Sequence, residues 1–186
     1  IVEDINSSGG KAMGFAGNQN NLITAKKLEI AVKDSDSNIE KILDLGFVGE
    51  PISINSSFIN DHIVKGIIPV IAPLGIDEKG NTYNINADTA AGAIAGALRA
   101  SKLLLLTDIA GILDENKKLI SSLSYEEAIN IISKNFIREG MKPKITTCIK
   151  AISQGVKQAT ILDVRIPHAL ILELFTEHGI GTQIYS

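Results

Sequence analysis

The run Asn81-Thr-Tyr-Asn84-Ile-Asn86-Ala-Asp88-Thr89 sets two carboxamides and a carboxylate within five residues, directly before the small-residue run Ala90-Ala-Gly-Ala-Ile-Ala-Gly96. Polar groups gathered where a loop turns into a helix can face a ligand and meet the helix's positive end. A second segment, Leu103-Leu-Leu-Leu-Thr107-Asp108-Ile-Ala-Gly111-Ile-Leu113, reads as a buried strand running into a polar turn containing glycine. A third, Gly140-Met141-Lys-Pro143-Lys144, opens a helix with a lysine. A cation at that end works against the helix dipole, which is understandable where the lysine answers an anion. Together the three segments read as a phosphoryl-transfer site.

Each segment also has an ordinary reading. Asp88 could cap the helix that follows it, and Asn84 and Asn86 could be turn residues. Thr107 and Asp108 could belong to a common Asp-x-x-Gly turn, and Lys144 could be a solvated surface lysine. The functional reading gains from the crowding of polar groups just beyond apolar strands, where α/β sheets usually bind ligands.

The elements that must position these residues alternate. Residues 11–16, 22–31, 44–50 and 66–73 read as strands, with 17–21 as a hairpin-type connection, 34–38 as a polar loop and 77–80 as a turn. From residue 89 onward helices at 89–100, 125–134, 144–154 and 168–177 interleave with strands at 103–107, 158–162 and 182–185. That order predicts an α/β fold with a mainly parallel sheet. Gly92 and Gly96 read as a close helix contact rather than a dinucleotide fingerprint.

An aliphatic composition suits a sheet covered by helices: 45% of the 186 residues are hydrophobic and none is tryptophan. A net charge of −3 gives no support for nucleic acid or an anionic membrane as partner. The single cysteine, Cys148, excludes an internal disulfide framework and reads as a packed thiol. His62, His168 and His178 lack metal-ligand spacing. No uncharged apolar run approaches the roughly 18 residues of a membrane span. The expectation is a soluble cytoplasmic chain, with a plastid stroma as the other compartment its isoleucine-, lysine- and asparagine-rich composition allows. Ile1 stands where an initiator methionine would, and residues 1–6 read as the tail of a helix, so the chain is expected to lack its beginning.

In order and in spacing, Asn84-Ile-Asn86-Ala-Asp88, Leu105-Leu-Thr107-Asp108-x-x-Gly111-Ile-Leu113 and Gly140-Met141-x-Pro143-Lys144 resemble the acetylglutamate kinases of the amino-acid kinase family. The likeness runs from Gly10-Lys-Ala-Met-Gly-Phe-Ala-Gly17 to Gly179-Ile-Gly-Thr182. It implies an open αβα sandwich, with residues 1–65 left from an acceptor-binding lobe and 66–186 forming a nucleotide-binding lobe. It implies transfer of the ATP γ-phosphoryl group to the side-chain carboxylate of N-acetyl-L-glutamate, with Mg²⁺ as cofactor, on the route to arginine. By position, Lys144 would stabilise the transferring group and Asp88 would hold the catalytic lysines. Asn84 and Asn86 would bind the acceptor. Asp108, Ile109, Ala110, Gly111, Ile112 and Leu113, with Phe136, Ile137 and Arg138, would line the nucleotide site, with Thr107 and Met141 beside it. Glu173 and Gly179 match positions that help to hold L-arginine as a feedback inhibitor.

The chain departs from the family pattern in two ways. The amino-terminal Lys-x-Gly-Gly segment, with its second catalytic lysine, has no counterpart here, so the segment alone is expected to be inactive. The usual His-x-x-Asp-Gly-Arg of the arginine-inhibited branch reads Thr160-Ile-Leu-Asp163-Val164-Arg165. A homo-oligomer and docking to a PII signalling protein are further implications of the likeness. Two alternatives stay open: another family member, such as a glutamate 5-kinase, aspartokinase or uridylate kinase, or a non-catalytic module that binds nucleotide, arginine or PII.

Overall fold

A computed structural model describes residues 1–33, 40–176 and 179–186. The chain divides into two compact units, Ile1–Ala90 and Ala91–Ser186. The lobe boundary expected near residue 65 falls inside the first unit, between α2 (Ser56–Ile63) and β4 (Ile68–Ala72). The polar loop expected at 34–38 lies outside the described residues.

The first unit begins with α1 (Val2–Ser7) and β1 (Ala12–Ala16). Strand β1 pairs in parallel with β4, from Ala12 opposite Ile68 to Ala16 opposite Ala72. Strands β2 (Ile23–Lys33) and β3 (Glu40–Ile54) form a long antiparallel ribbon. With β5 (Leu74–Ile76) and β6 (Thr82–Ile85) they close a small barrel in the order β2-β3-β6-β5. Leu22, Ile23, Ala25, Tyr83 and Ile85 are buried in this unit.

Residues 17–21 are therefore not a hairpin, because β1 and β2 belong to different sheets. The chain crosses between them through Gly17, whose N–H donates to the Ala72 carbonyl at 3.0 Å and whose carbonyl accepts from Ile23 N at 2.7 Å. A side chain there would collide with the Leu74 carbonyl. Asn20 and Asn21 then take left-handed conformations (φ 53° and 50°) that asparagine tolerates. Asparagine-rich turns look alike in sequence whether or not the flanking strands pair.

Helix α3 (Ala87–Leu98) carries the chain into the second unit. There β7 (Lys102–Thr107), β9 (Gln158–Asp163), β10 (Thr182–Tyr185) and β8 (Ser122–Ser124) form one sheet in the order β7-β9-β10-β8. The pairs β7–β9 and β8–β10 are parallel, while β9–β10 is antiparallel. Leu103 and Leu105 of β7 enter the core, but Leu106 is 45% exposed, so the leucine run is not buried throughout. Its side chains alternate between faces, as in any strand.

Helix α5 (Lys142–Ser153) buries Ile145, Cys148, Ala151 and Ile152, the helical spacing of one apolar stripe. That stripe packs in one core with Leu105, Ala159, Ile161 and Ile184. Helix α4 (Tyr125–Ile131) starts at a capping box, in which Glu127 N donates to Ser124 Oγ and Ser124 N donates to Glu127 Oε2. Helix α6 (Ala169–Phe175) completes the set.

Candidate nucleotide and acceptor residues

The sequence-predicted acceptor residues occupy the β6–α3 junction of the first unit. Asn84 is an exposed residue of β6, not of a loop. Asn86 is the residue that caps α3: its Oδ1 accepts from Thr89 N at 3.1 Å and from Thr89 Oγ1 at 3.3 Å. Asp88 is therefore not the cap residue. It lies in the first turn of the helix, half-buried. The carboxamide that reads as a turn residue ends the strand and starts the helix.

The second unit brings seven of the eleven predicted nucleotide residues together at one cavity. Ile109, Gly111 and Leu113, from the loop after β7, line one cavity with Phe136, Ile137, Arg138 and Met141. Its walls are mostly apolar, with Arg138 as the cationic member. Ile112 lies between two lining residues but is itself fully buried, and Ala110 is exposed outside the lining. Met141 is also the cap residue of α5, and Lys144 stands in that helix's first turn beside Pro143. Proline suits an opening turn because no intrahelical acceptor awaits its missing N–H.

At the carboxyl end of β7, Thr107 is buried and donates from Oγ1 to Asp108 Oδ1 at 3.3 Å. Asp108 itself is exposed. Thr107 sits opposite Asp163 in the β7–β9 register, and its carbonyl accepts from Val164 N at 2.8 Å. Asp163 is 6% exposed and takes a forked grip from Arg165, Nε to Oδ1 at 2.9 Å and Nη2 to Oδ2 at 2.7 Å. That side-chain bond, then the Arg165 backbone N–H, holds the Asp163 carboxyl below its ordinary range. The Arg165 guanidinium is pushed up, first by its bond to Asp163 and lastly by the charge of Asp108.

In the sequence Asp163 and Arg165 stand out only as part of the run at 160–165 that departs from the arginine-inhibited branch, not as an ion pair at this sheet end. The available signal was a charged pair straight after the apolar run Ala159–Leu162. Thr182 was also missed, and a lone threonine at a strand start carries no signal of its own.

The candidate arginine residues line a second, more polar cavity of about 380 Å³, which includes Glu173, Gly179, Gly181, Gln183, Lys102 and Gln158. Buried Glu173 accepts from Ile180 N at 2.9 Å and Gly181 N at 3.4 Å. Among the described residues no three His, Cys, Asp or Glu side chains gather to hold a metal ion, and no helix is long and apolar enough to cross a membrane.

Two separate stretches of the second unit thus meet at one mostly apolar cavity whose lining includes one cationic side chain, Arg138. Residues 1–163 match the amino acid kinase family, and the chain belongs to that family. It is 54% identical over 185 residues to an acetylglutamate kinase of Afipia carboxidovorans, covering 100% of this chain and 63% of the relative. A second acetylglutamate kinase, of Rhodospirillum centenum, is 54% identical over 184 residues, covering 99% of this chain and 60% of the relative. The chain thus spans about three-fifths of the length of these relatives. Among solved structures, the N-acetylglutamate synthase of Neisseria gonorrhoeae, complexed with coenzyme A and N-acetyl-glutamate, superposes with a TM-score of 0.80 at 26% identity, over 97% of this chain and 39% of that one. Carbamate kinase of Giardia lamblia bound to AMP-PNP shares the fold, with a TM-score of 0.66 at 14% identity, over 99% of this chain and 69% of that one.

Proposed function

We propose that this chain is part of a cytoplasmic acetylglutamate kinase, which transfers the ATP γ-phosphoryl group to the side-chain carboxylate of N-acetyl-L-glutamate. The observation that carries the reading is the convergence of two separate stretches, 109–113 and 136–141, on one mostly apolar cavity. The names of relatives at 54% identity support the same activity.

The chemistry suits these residue types. The attacking carboxylate is already ionised at neutral pH, so no general base is needed. The obstacle is bringing two anions together and stabilising charge on the transferring group. In this reading Asn84 and Asn86 orient the acceptor, Lys144 meets the transferring phosphoryl group, and Asp88 keeps the lysines in place. The cavity around Phe136 and Met141 takes the apolar face of the nucleotide, and Arg138 its charge.

Mg²⁺ usually keeps several waters and is held by one or two carboxylates plus substrate phosphates rather than by a protein cage. The exposed Asp108 carboxylate at the end of β7 fits that demand. When bound with the nucleotide, Mg²⁺ supplies charge neutralisation on the phosphates.

The polar cavity at Glu173 and Gly179 supports L-arginine as a ligand, with its guanidinium and amino groups answering the carboxylate and backbone carbonyls. A homo-oligomer and a PII partner belong to the same proposal. A second reading, a unit that binds arginine without catalysis, draws on this cavity and on likeness to the Neisseria gonorrhoeae synthase complexed with L-arginine, at 27% identity.

Titration of MgATP into the 186-residue chain by calorimetry tests the nucleotide assignment. Saturable binding weakened by Lys144→Ala or Asp108→Ala is expected, and no binding by a well-folded chain would overturn it. ADP release by a protein of the relatives' length, offered N-acetyl-L-glutamate, glutamate or aspartate, tests the acceptor. Arginine binding without turnover of any of the three would favour the second reading.

A further inference from the structure

The loop that supplies Gly111 and Leu113 to the cavity is held at its base by a side chain that is not part of the lining. Ile112 and Ile120 are the two ends of the excursion 112–120, and Ile120 N donates to the Ile112 carbonyl at 2.8 Å. Leu113 and Leu119 form an isolated antiparallel bridge just inside them. Asp114 ties the tip, its Oδ1 accepting from Asn116 N and Lys118 N, each at 2.8 Å.

Thr182, at the first position of β10 and fully buried, spans both ends. Its Oγ1 accepts from Ile112 N at 2.8 Å and donates to the Ile120 carbonyl at 2.6 Å. The hydroxyl thereby uses its one proton and a lone pair on two backbone groups of the excursion. Gly111 lies against the same oxygen: it has φ +138°, and a Cβ there would stand 2.6 Å from Thr182 Oγ1. That close approach is why the position takes glycine. Thr182 is itself anchored, since Glu173 receives the N–H groups of Ile180 and Gly181 immediately before it.

We infer that Thr182 is a positioning residue for nucleotide binding. Its hydroxyl fixes the Ile112 peptide, and through it the flanking Gly111 and Leu113, in the conformation that shapes the cavity. The inference rests on the nucleotide reading of that cavity. The Ile112 N–H is buried with Thr182 as its partner, so losing the hydroxyl frees the loop to seek other conformers. A competent population reduced to about a tenth weakens apparent affinity about tenfold.

The test compares Thr182→Val, which keeps the shape and removes the hydroxyl, with Thr182→Ser, which keeps the hydroxyl. Ile152→Val serves as a core control in the same unit. MgATP affinity is read by calorimetry, and exchange of the Ile112 amide by hydrogen-exchange NMR. Thr182→Val should weaken MgATP about tenfold and speed Ile112 exchange, while Thr182→Ser and Ile152→Val stay near wild type. Wild-type affinity in folded Thr182→Val would overturn the inference and leave the nucleotide reading standing. Lost affinity in Thr182→Ser with the Ile112 amide still protected would overturn it too, by assigning the effect to the methyl group. Should Thr182→Val fail to fold, wild-type Ile112 exchanging as fast as the exposed tip amides would still overturn it. No MgATP binding by the wild-type chain would overturn the nucleotide reading and this inference together.

Discussion

Gly92 and Gly96 lie one turn apart on α3, and the same substitution at each should move stability in opposite directions. Replacing an interior helix glycine by alanine gains about 0.8–1.0 kcal/mol of helix propensity. At Gly92 that gain meets an obstacle, because an added Cβ would stand 2.5 Å from Thr147 Cγ2. Thr147 is buried on α5 and β-branched, so its methyl has little freedom to swing aside. Overpacking of this kind costs about 1–3 kcal/mol. The net for Gly92→Ala is thus a destabilisation of up to about 2 kcal/mol, or about 4–8 °C in Tm per kcal/mol for a unit of this size. At Gly96 the added Cβ would meet the side chain of Gln154, the C-cap residue of α5. The amide end of that chain can turn toward solvent but its Cβ, 3.0 Å from the added carbon, cannot, so part of the propensity gain is offset and Gly96→Ala should be neutral or stabilising by less than about 1 kcal/mol. Urea unfolding of both variants reads the difference. The decisive arm is Gly92→Ala in a Thr147→Ser background, where the opposing methyl is gone and the substitution should turn stabilising. If Gly92→Ala stabilises the wild-type chain, or if Thr147→Ser gives no relief, the close contact between α3 and α5 is not what selects glycine.

Other outcomes follow from the same geometry. Asn86→Ala removes the cap of α3 and should lower stability by about 1 kcal/mol in urea, with no change in MgATP affinity, since the residue lies outside the nucleotide cavity. Asp77 accepts from the Asn81 side chain and N–H, Tyr83 Oη and Lys79 N, and these bonds, the Asn81 side chain foremost, lower its pKa to about 2. A depressed carboxylate contributes stability that is complete above its ordinary value near 4 and is lost as pH falls through about 2. Asp77→Asn should therefore be less stable at pH 6 and flatter between pH 4 and 2; parallel acid-unfolding curves for the two proteins would refute this. Phe136→Ala removes an aromatic wall of the cavity and should weaken MgATP by about 1–3 kcal/mol if the base stacks there, as calorimetry would read.

Periodicity and punctuation made most of the second unit legible. The α5 stripe Ile145–Cys148–Ile152 and the strand 182–185 stand where apolar spacing put them. The small residues of 90–96 announced the close contact that Gly92 makes with Thr147. The first unit was less legible because its pairings are long-range. Nothing local to 17–21 says that β1 will leave for β4 while β2 turns to β3. Strand β6 is four residues long, with Asn84 inside it and Asn86 just beyond its end, so polar content disguised it as loop. At the candidate site the sequence points to residues whose own type signals chemistry, and Thr182 is not among them. Its importance lies in two backbone partners 62 and 70 residues away in the chain, and no local window contains them.

Lys144 illustrates how a placement unfavourable to folding can be informative about function. The first turn of α5 holds Lys142 and Lys144 and no acidic side chain. A cation there forgoes roughly 0.3–1 kcal/mol relative to an anion. Lys142 has a local answer, since its Nζ lies 2.7 Å from Glu139 Oε1. Substituting Lys144 by glutamate should therefore favour the isolated helix through its dipole while opposing any phosphate that meets its amino end. A variant that gains stability in urea and loses MgATP binding would tie the residue to the ligand. One that loses both would tie it to the fold instead, and would refute the assignment of Lys144 to the transferring phosphoryl group.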